Sequence, residues 1–253
     1  MTYSVLLLGA TGTIGVKIAA NLSLQSSQLK RTAFLTPRAD AGPAKEAKYA
    51  TISLERIVGS LEDATSYKGF DVVISAVGDA VCAQQPKYID AAFAAGVKHL
   101  YPAEYGADLT RDGTREESYF VNKIAARKHL AKRVKEDPSL GYTYVMTGLF
   151  SDFMIQFNTI FLSEDKKSAN FTCFREARFS TTLSDDVAKV TGQPVAVRYE
   201  SKEESYEKEQ KEQGNDFLYK FTSARRSIGF GGSELVGTNK EDYPEIQAVI
   251  FEE

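Results

Sequence analysis

Apolar positions in the first 150 residues alternate between two habits. Short continuous runs end in glycine or proline turns, and longer stretches repeat at helical spacing. "YSVLLLGA" is a run of the first kind and predicts a buried parallel strand. "TGTIGVKIAANLSL" follows with Ile14, Ile18 and Leu22 on one helical face. "RTAFLTPR", "ISLERIVGS" and "FDVVISAVG" predict three further strands, the first of these three ended by Pro37. "QPKYIDAAFAAGVKHL" predicts a helix stopped at Gly96, and "VKHLYPAE" begins a fifth strand. Residues 115 to 135 carry a long helical pattern in which Val121, Ile124, Ala125, Ala131 and Val134 are expected to face the sheet. "GYTYVMTGLF" is expected as a sixth strand. Buried-type strands alternating with helices predict an α/β fold with a doubly wound parallel sheet.

After Phe150 this rhythm fades. "SDFMIQFNTIFLS" is apolar enough for a helix lining a pocket, and residues 163 to 192 are mixed. "SKEESYEKEQKEQGN" is a charged run, expected as a solvated helix or a flexible arm.

Composition narrows the class. The 253 residues are long enough for a large core, and 43% of them are hydrophobic. A net charge of -3, with acids and bases mixed, offers no footprint for nucleic acid or an anionic membrane. Cys82 and Cys173 are far apart, which fits a reducing compartment better than a disulfide framework. With His99 and His129 the only histidines, a multi-histidine metal centre is not expected. The opening residues lack a basic segment, and their apolar run is short for a leader or a membrane span. The expectation is a cytoplasmic chain, monomeric or homodimeric, acting on a small molecule.

The chemistry starts at "GATGTIG". In a strand–turn–helix setting, Gly9 permits the tight turn, Gly12 lets backbone approach a pyrophosphate, and Gly15 lets helix pack on strand. The helix N-terminus then turns free amides and a positive dipole end toward phosphate. Gly9, Thr11, Gly12, Thr13, Ile14 and Gly15 are therefore the candidate dinucleotide-binding residues of the turn. At the end of the second strand, Arg38 in "FLTPR" is placed to fork onto a ribose 2'-phosphate, with Lys45 and Lys48 following. Asp40 is the competing reading, as a partner for a free 2'-hydroxyl. Ala76 and Val77 in "SAVG", Tyr105 in "PAEYG" and Phe150 in "TGLF" fall at strand ends that rim the crevice. Phe150, Phe153, Met154 and Phe157 are candidates for the wall of an apolar substrate pocket.

Tyr119 and Lys123 stand four residues apart in "YFVNK". On one helical face the ammonium would reach the phenol and lower its pKa, and either group is suited to proton transfer. Lys123 can also serve the nicotinamide ribose. Arg127, one turn on, extends the positive face toward bound phosphate or substrate. The competing reading of all three is a solvated helix face.

Taken together, "GATGTIG", "FLTPR", "VISAVG", "DAAFAAGVKHLYPAEYG" and "NKIAARKHL…YTYVMTGLF" resemble the NmrA-like atypical short-chain dehydrogenases, most of all their isoflavone reductase-like branch of fungal type. The resemblance covers residues 3 to about 160 and continues more loosely to 200. It implies an NADPH-binding Rossmann domain over 1–150 and a substrate lobe over 151–253. Lys123 matches the family's helix lysine, an acid/base at the nicotinamide, and Arg38 matches its 2'-phosphate arginine. Members reduce aromatic, phenylpropanoid-type or quinone-like substrates; others are non-catalytic NADP(H) sensors. Three departures stand out: Ala103 where serine is frequent, Ser60 where aspartate is usual, and a join at Lys189–Val190 where the family has a further strand and helices.

Overall fold

The computed structural model describes residues 2–37, 42–147, 167–172, 196–227 and 230. The chain divides into two units, Met1–Met146 and Thr147–Glu253. The Lys189–Val190 join lies outside the described residues.

In the first unit six strands form one parallel sheet: β1 (Ser4–Leu8), β2 (Arg31–Thr36), β3 (Glu55–Val58), β4 (Val72–Ser75), β5 (His99–Tyr101) and β6 (Gly141–Tyr142). Their order across the sheet is β3-β2-β1-β4-β5-β6. This is the doubly wound Rossmann order, and it reverses direction between β1 and β4, where a crevice opens beyond the strand ends. The register is set by apolar pairs such as Leu7 opposite Phe34 and Ile74. All five β1 residues are buried, which is why its sequence shows no alternation.

The alternation appears instead in which face each residue serves. Leu6, Leu8, Ala33, Leu35 and Val73 pack on one side with Ile89, Ala92, Ala126 and Leu130. Leu7 and Phe34 pack on the other with Ala19 and Tyr49. The first face belongs to α4 (Gln85–Ala94) and α5 (Val121–Glu136), the second to α1 (Gly15–Leu24) and α2 (Pro43–Ala50). The expected Ile14, Ile18 and Leu22 do pack on the second face. A short helix, α3 (Asp79–Cys82), follows β4.

Two expectations are corrected at α5. A 3-10 turn at Ser118–Phe120 precedes it, so the helix proper begins at Val121 rather than near 115. Its buried face is Ala126 and Leu130, with Val134 packed beside them. Val121 is 60% exposed, and Ala125 and Ala131 are exposed too. Small residues on both sides of α5 leave its phase ambiguous by periodicity, and packing against α4 decides it. Likewise, among the described residues of the expected sixth strand, Gly141–Tyr142 alone are in strand register with β5. Lys45 and Lys48 stand exposed on α2.

In the second unit β7 (Ser168–Thr172) pairs in parallel with β8 (Ala196–Glu200). The charged run forms α6 (Lys202–Lys211), closed at its start by a capping box between Ser201 and Glu204. It packs on α7 (Asp216–Ser227). The Arg226 guanidinium of α7, 1% exposed in its side chain, pairs with the Glu209 carboxylate and lies 3.7 Å from the Tyr206 ring centroid. The run is thus solvated on one side only, with Ser205 and Glu209 buried. Among the described residues no helix is long and apolar enough to cross a membrane, and no cluster could hold a metal ion.

Candidate active site

The glycine turn closes the carboxyl end of β1 against that of β4. Gly9 adopts φ +80, and a Cβ there would lie 2.5 Å from the Ala76 carbonyl oxygen. A Cβ on Gly15 would lie 2.0 Å from the Gly9 carbonyl oxygen, so only glycine lets α1 start this close to the strand. The Gly12 amide donates to the Gly9 carbonyl at 3.0 Å, tightening the turn. Gly12 and Thr13 are exposed, and Thr11 and Ile14 are half-buried. No acidic residue sits in the first turn of α1, so no carboxylate competes for its positive end. This cradle fits a pyrophosphate: exposed backbone, no Cβ in the way, and a helix terminus that favours anions.

Ala76 is buried against the turn and Val77 packs toward the α4–α5 face. Ser75 is used up in the core, where its hydroxyl shares a 2.8 Å hydrogen bond with the Tyr88 phenol. Beyond β5 the chain folds tightly, with the Glu104 amide donating to the Pro102 carbonyl at 2.8 Å. The Ala103 amide donates to the Gln85 side-chain oxygen at 3.0 Å. Tyr105 packs against the cluster that holds Ala10 and Ala76, and burial pushes its phenol up to about 12. The residue on either side of Tyr105 meets Lys123. Its ammonium donates to the Glu104 carbonyl at 2.6 Å and would stand 3.9 Å from a Cβ on Gly106. Residues 104–106 therefore tie the lysine of α5 to the rim of the glycine turn.

Tyr119 and Lys123 do not form the expected ammonium–phenol contact; each takes another partner. Tyr119 sits in the 3-10 turn, where the helical face drawn from its spacing does not apply. Its phenol donates to Asp79 Oδ2 at 2.6 Å. Burial, with the Asp79 carboxylate adding to it, holds this phenol protonated well above the ordinary tyrosine range. The expected lowering by Lys123 is reversed, and at neutral pH Tyr119 is a donor rather than a base. Tyr119→Phe is accordingly expected to lower stability by about 1 kcal/mol through loss of that bond. Urea unfolding measures it, and an unchanged midpoint would mean the Asp79 bond contributes nothing.

Arg127 also departs from expectation. It does not extend toward phosphate or substrate but turns inward: Nη2 donates to Glu104 Oε2 at 2.8 Å, and the guanidinium lies 4.2 Å from the Tyr144 ring centroid. Cys82 lies in the same neighbourhood. Burial pushes its thiol up to about 11, opposed by the Lys123 charge. Asp79, Gln85 and Glu104 are the residues that sequence reasoning missed. The one available signal was a glutamate inside the otherwise apolar "PAEYG", with an arginine four positions after the lysine on α5. Arg38, Asp40, Phe150, Phe153, Met154 and Phe157 lie outside the described residues.

Residues 1–201 match the profile of the NmrA-like family. The isoflavone reductase homolog IRL of Zea mays is 34% identical over 157 residues, 59% of this chain and 49% of its own. An NmrA-like family domain-containing oxidoreductase of Gibberella moniliformis is 28% identical over 209 residues, 77% of this chain and 67% of its own. The chain spans about half the length of the maize relative. Among solved structures, a binary complex of leucoanthocyanidin reductase with NADPH from Vitis vinifera superposes with a TM-score of 0.72 at 15% identity, over 96% of this chain and 95% of that one.

Proposed function

Since the chain belongs to the NmrA-like family, we propose that it is an NADPH-dependent oxidoreductase passing hydride to an aromatic, phenylpropanoid- or quinone-like small molecule. The observation that carries this reading is the Lys123 ammonium, held on the Glu104 carbonyl beside the rim of a glycine turn shaped for pyrophosphate. The isoflavone reductase homolog and the NADPH-bound leucoanthocyanidin reductase named above support the cofactor and the substrate class.

NADPH, when bound, supplies the hydride. Gly9, Thr11, Gly12, Thr13, Ile14 and Gly15 would form the cradle for its pyrophosphate, with exposed backbone and the start of α1 turned to the anion. Arg38 would take the 2'-phosphate, and Ala76, Val77 and Phe150 would border the nicotinamide. Lys123 has three N–H donors and uses one on Glu104, leaving the others for a ribose hydroxyl or a developing alkoxide or enolate. Tyr119 keeps its proton and orients Asp79. Tyr105, Phe153 and Met154 would face the substrate.

The test is a titration with NADPH and with NADH, read by nicotinamide fluorescence. NADPH is expected to bind at least about tenfold more tightly, from charge-assisted bonds at Arg38, and Arg38→Ala to level the two. Equal binding in the parent chain would move the ribose contact to Asp40. Binding without turnover on any quinone or phenylpropanoid would assign a non-catalytic NADP(H) sensor instead. No binding of either cofactor would overturn the reading.

A further inference from the structure

We infer that Glu104 and Arg127 form a positioning pair for Lys123, a claim resting on the reading of Lys123 as the proton donor. Lys123 and Arg127 are one turn apart on α5, and both hold Glu104: Lys123 grips its main-chain carbonyl and Arg127 its carboxylate. The Glu104 side chain is 1% exposed and that of Arg127 is 12% exposed. The turn that carries the carbonyl is clamped on its other side by Gln85, which is fully buried. The acceptor that sets the direction of the ammonium is therefore fixed from two sides.

Stability alone is a poor explanation of this pair. Glu104 Oε1 and Arg127 Nε are buried and find no hydrogen-bond partner among the described residues. An ion pair so incompletely satisfied contributes little to folding, and apolar side chains of similar volume would often serve as well. What apolar residues would not supply is a charged tie between α5 and the turn whose carbonyl holds Lys123. Removing Glu104 alone would leave the Arg127 charge unopposed on α5, and removing Arg127 alone would leave the Glu104 charge unopposed in the turn. The pair thus fixes the carbonyl that Lys123 grips. Among the described residues, Cys82 of α3 feels the Lys123 charge together with that of Asp79, to which the Tyr119 phenol donates, and Tyr105 follows Glu104 in the turn. They remain in every variant below and act as a constant background.

The test uses the whole chain and acetic anhydride as the probe. Acetylation of Lys123 is followed by peptide mass spectrometry between about pH 6 and pH 11, with exposed Lys132 as the internal reference. Glu104→Gln is expected to move the half-maximal labelling of Lys123 to lower pH, and Arg127→Met to move it to higher pH, each by about half a unit or more. The neutral double variant Glu104→Gln/Arg127→Met guards against misfolding of a single one, since it buries no unpaired charge. It is expected to return the half-maximal pH to that of the parent chain while raising the limiting labelling rate several-fold, because the turn that presents the residue-104 carbonyl has lost its tie to α5. Single-variant shifts in the same direction, or none, would reduce the pair to scaffolding, as would an unchanged limiting rate in the double variant. The two claims fail separately: an active Lys123→Ala chain removes the proton-donor role, whereas the labelling shifts read the pair alone.

Discussion

Lys123→Ala is expected to lower kcat for NADPH oxidation by quinone or phenylpropanoid acceptors by about 10²–10⁴-fold, the range of a lost general acid. The fold should survive. Lys123 is half-buried at the first turn of α5 and makes a single hydrogen bond to the Glu104 carbonyl, so its loss is expected to lower stability by about 1 kcal/mol. The core face of α5, Ala126 and Leu130, is untouched. Affinity for NADPH is expected to fall far less than kcat, because on the proposed reading the glycine turn would hold the pyrophosphate independently of α5. Lys123→Arg is not expected to rescue turnover: a guanidinium keeps its proton at any working pH. Steady-state kinetics alongside a thermal melt decide the matter, and a normally folded Lys123→Ala chain with full kcat would sink the catalytic assignment.

Gly9→Ala is expected to lose both stability and cofactor binding. The left-handed backbone alone costs a non-glycine residue about 1–3 kcal/mol. The added methyl would also meet the Ala76 carbonyl oxygen at 2.5 Å. That oxygen cannot move away cheaply, because β1 and β4 are in register to their last residues, Leu8 opposite Ser75. The strain would be relieved by opening the turn, which removes the close backbone approach that pyrophosphate needs. Gly78→Ala is the control. Gly78 has ordinary φ, and no atom lies within 4 Å of its added Cβ, so a near-neutral result is expected. Urea unfolding with a fluorescence titration of NADPH reads both effects, and a Gly9→Ala chain that binds like the parent would remove the glycine turn from the site.

Much of the Rossmann sheet is legible in the chain because its signals are local. A continuous apolar run such as "VLLL" ending in a glycine suits a strand buried on both faces, and its alternation with helical stretches points to a parallel sheet. The helix stop at Gly96, with φ +100, is equally local. The glycine turn is readable for the same reason, since its three residues answer to backbone geometry within a few positions. Six strands and the helices α1, α4 and α5 follow from such signals, whereas α2 and α3 were not expected. The start of α5 does not, because the 3-10 turn before it depends on Phe120 packing against Ala107 and Leu109.

The surroundings of Lys123 were decided elsewhere. Spacing alone paired the lysine with Tyr119 and turned Arg127 outward. The folded chain instead brings Asp79 within 2.6 Å of the phenol from 40 residues away, and Glu104 onto Arg127 from 23. Polar partners at that separation leave no periodic trace, for any carboxylate on a strand end satisfies the same local pattern. The charged run at α6 makes the same point. By itself it reads as a solvated segment, and its capping box is visible as Ser201 and Glu204. That Glu209 is buried depends on Arg226 of α7, since a buried carboxylate is tolerable only where another element delivers the opposite charge. Strands, glycine turn and the place of Lys123 on a helix were legible along the chain. Which charges stand beside one another was set by the fold, because charge pairing is a property of distance in space rather than of distance along the chain.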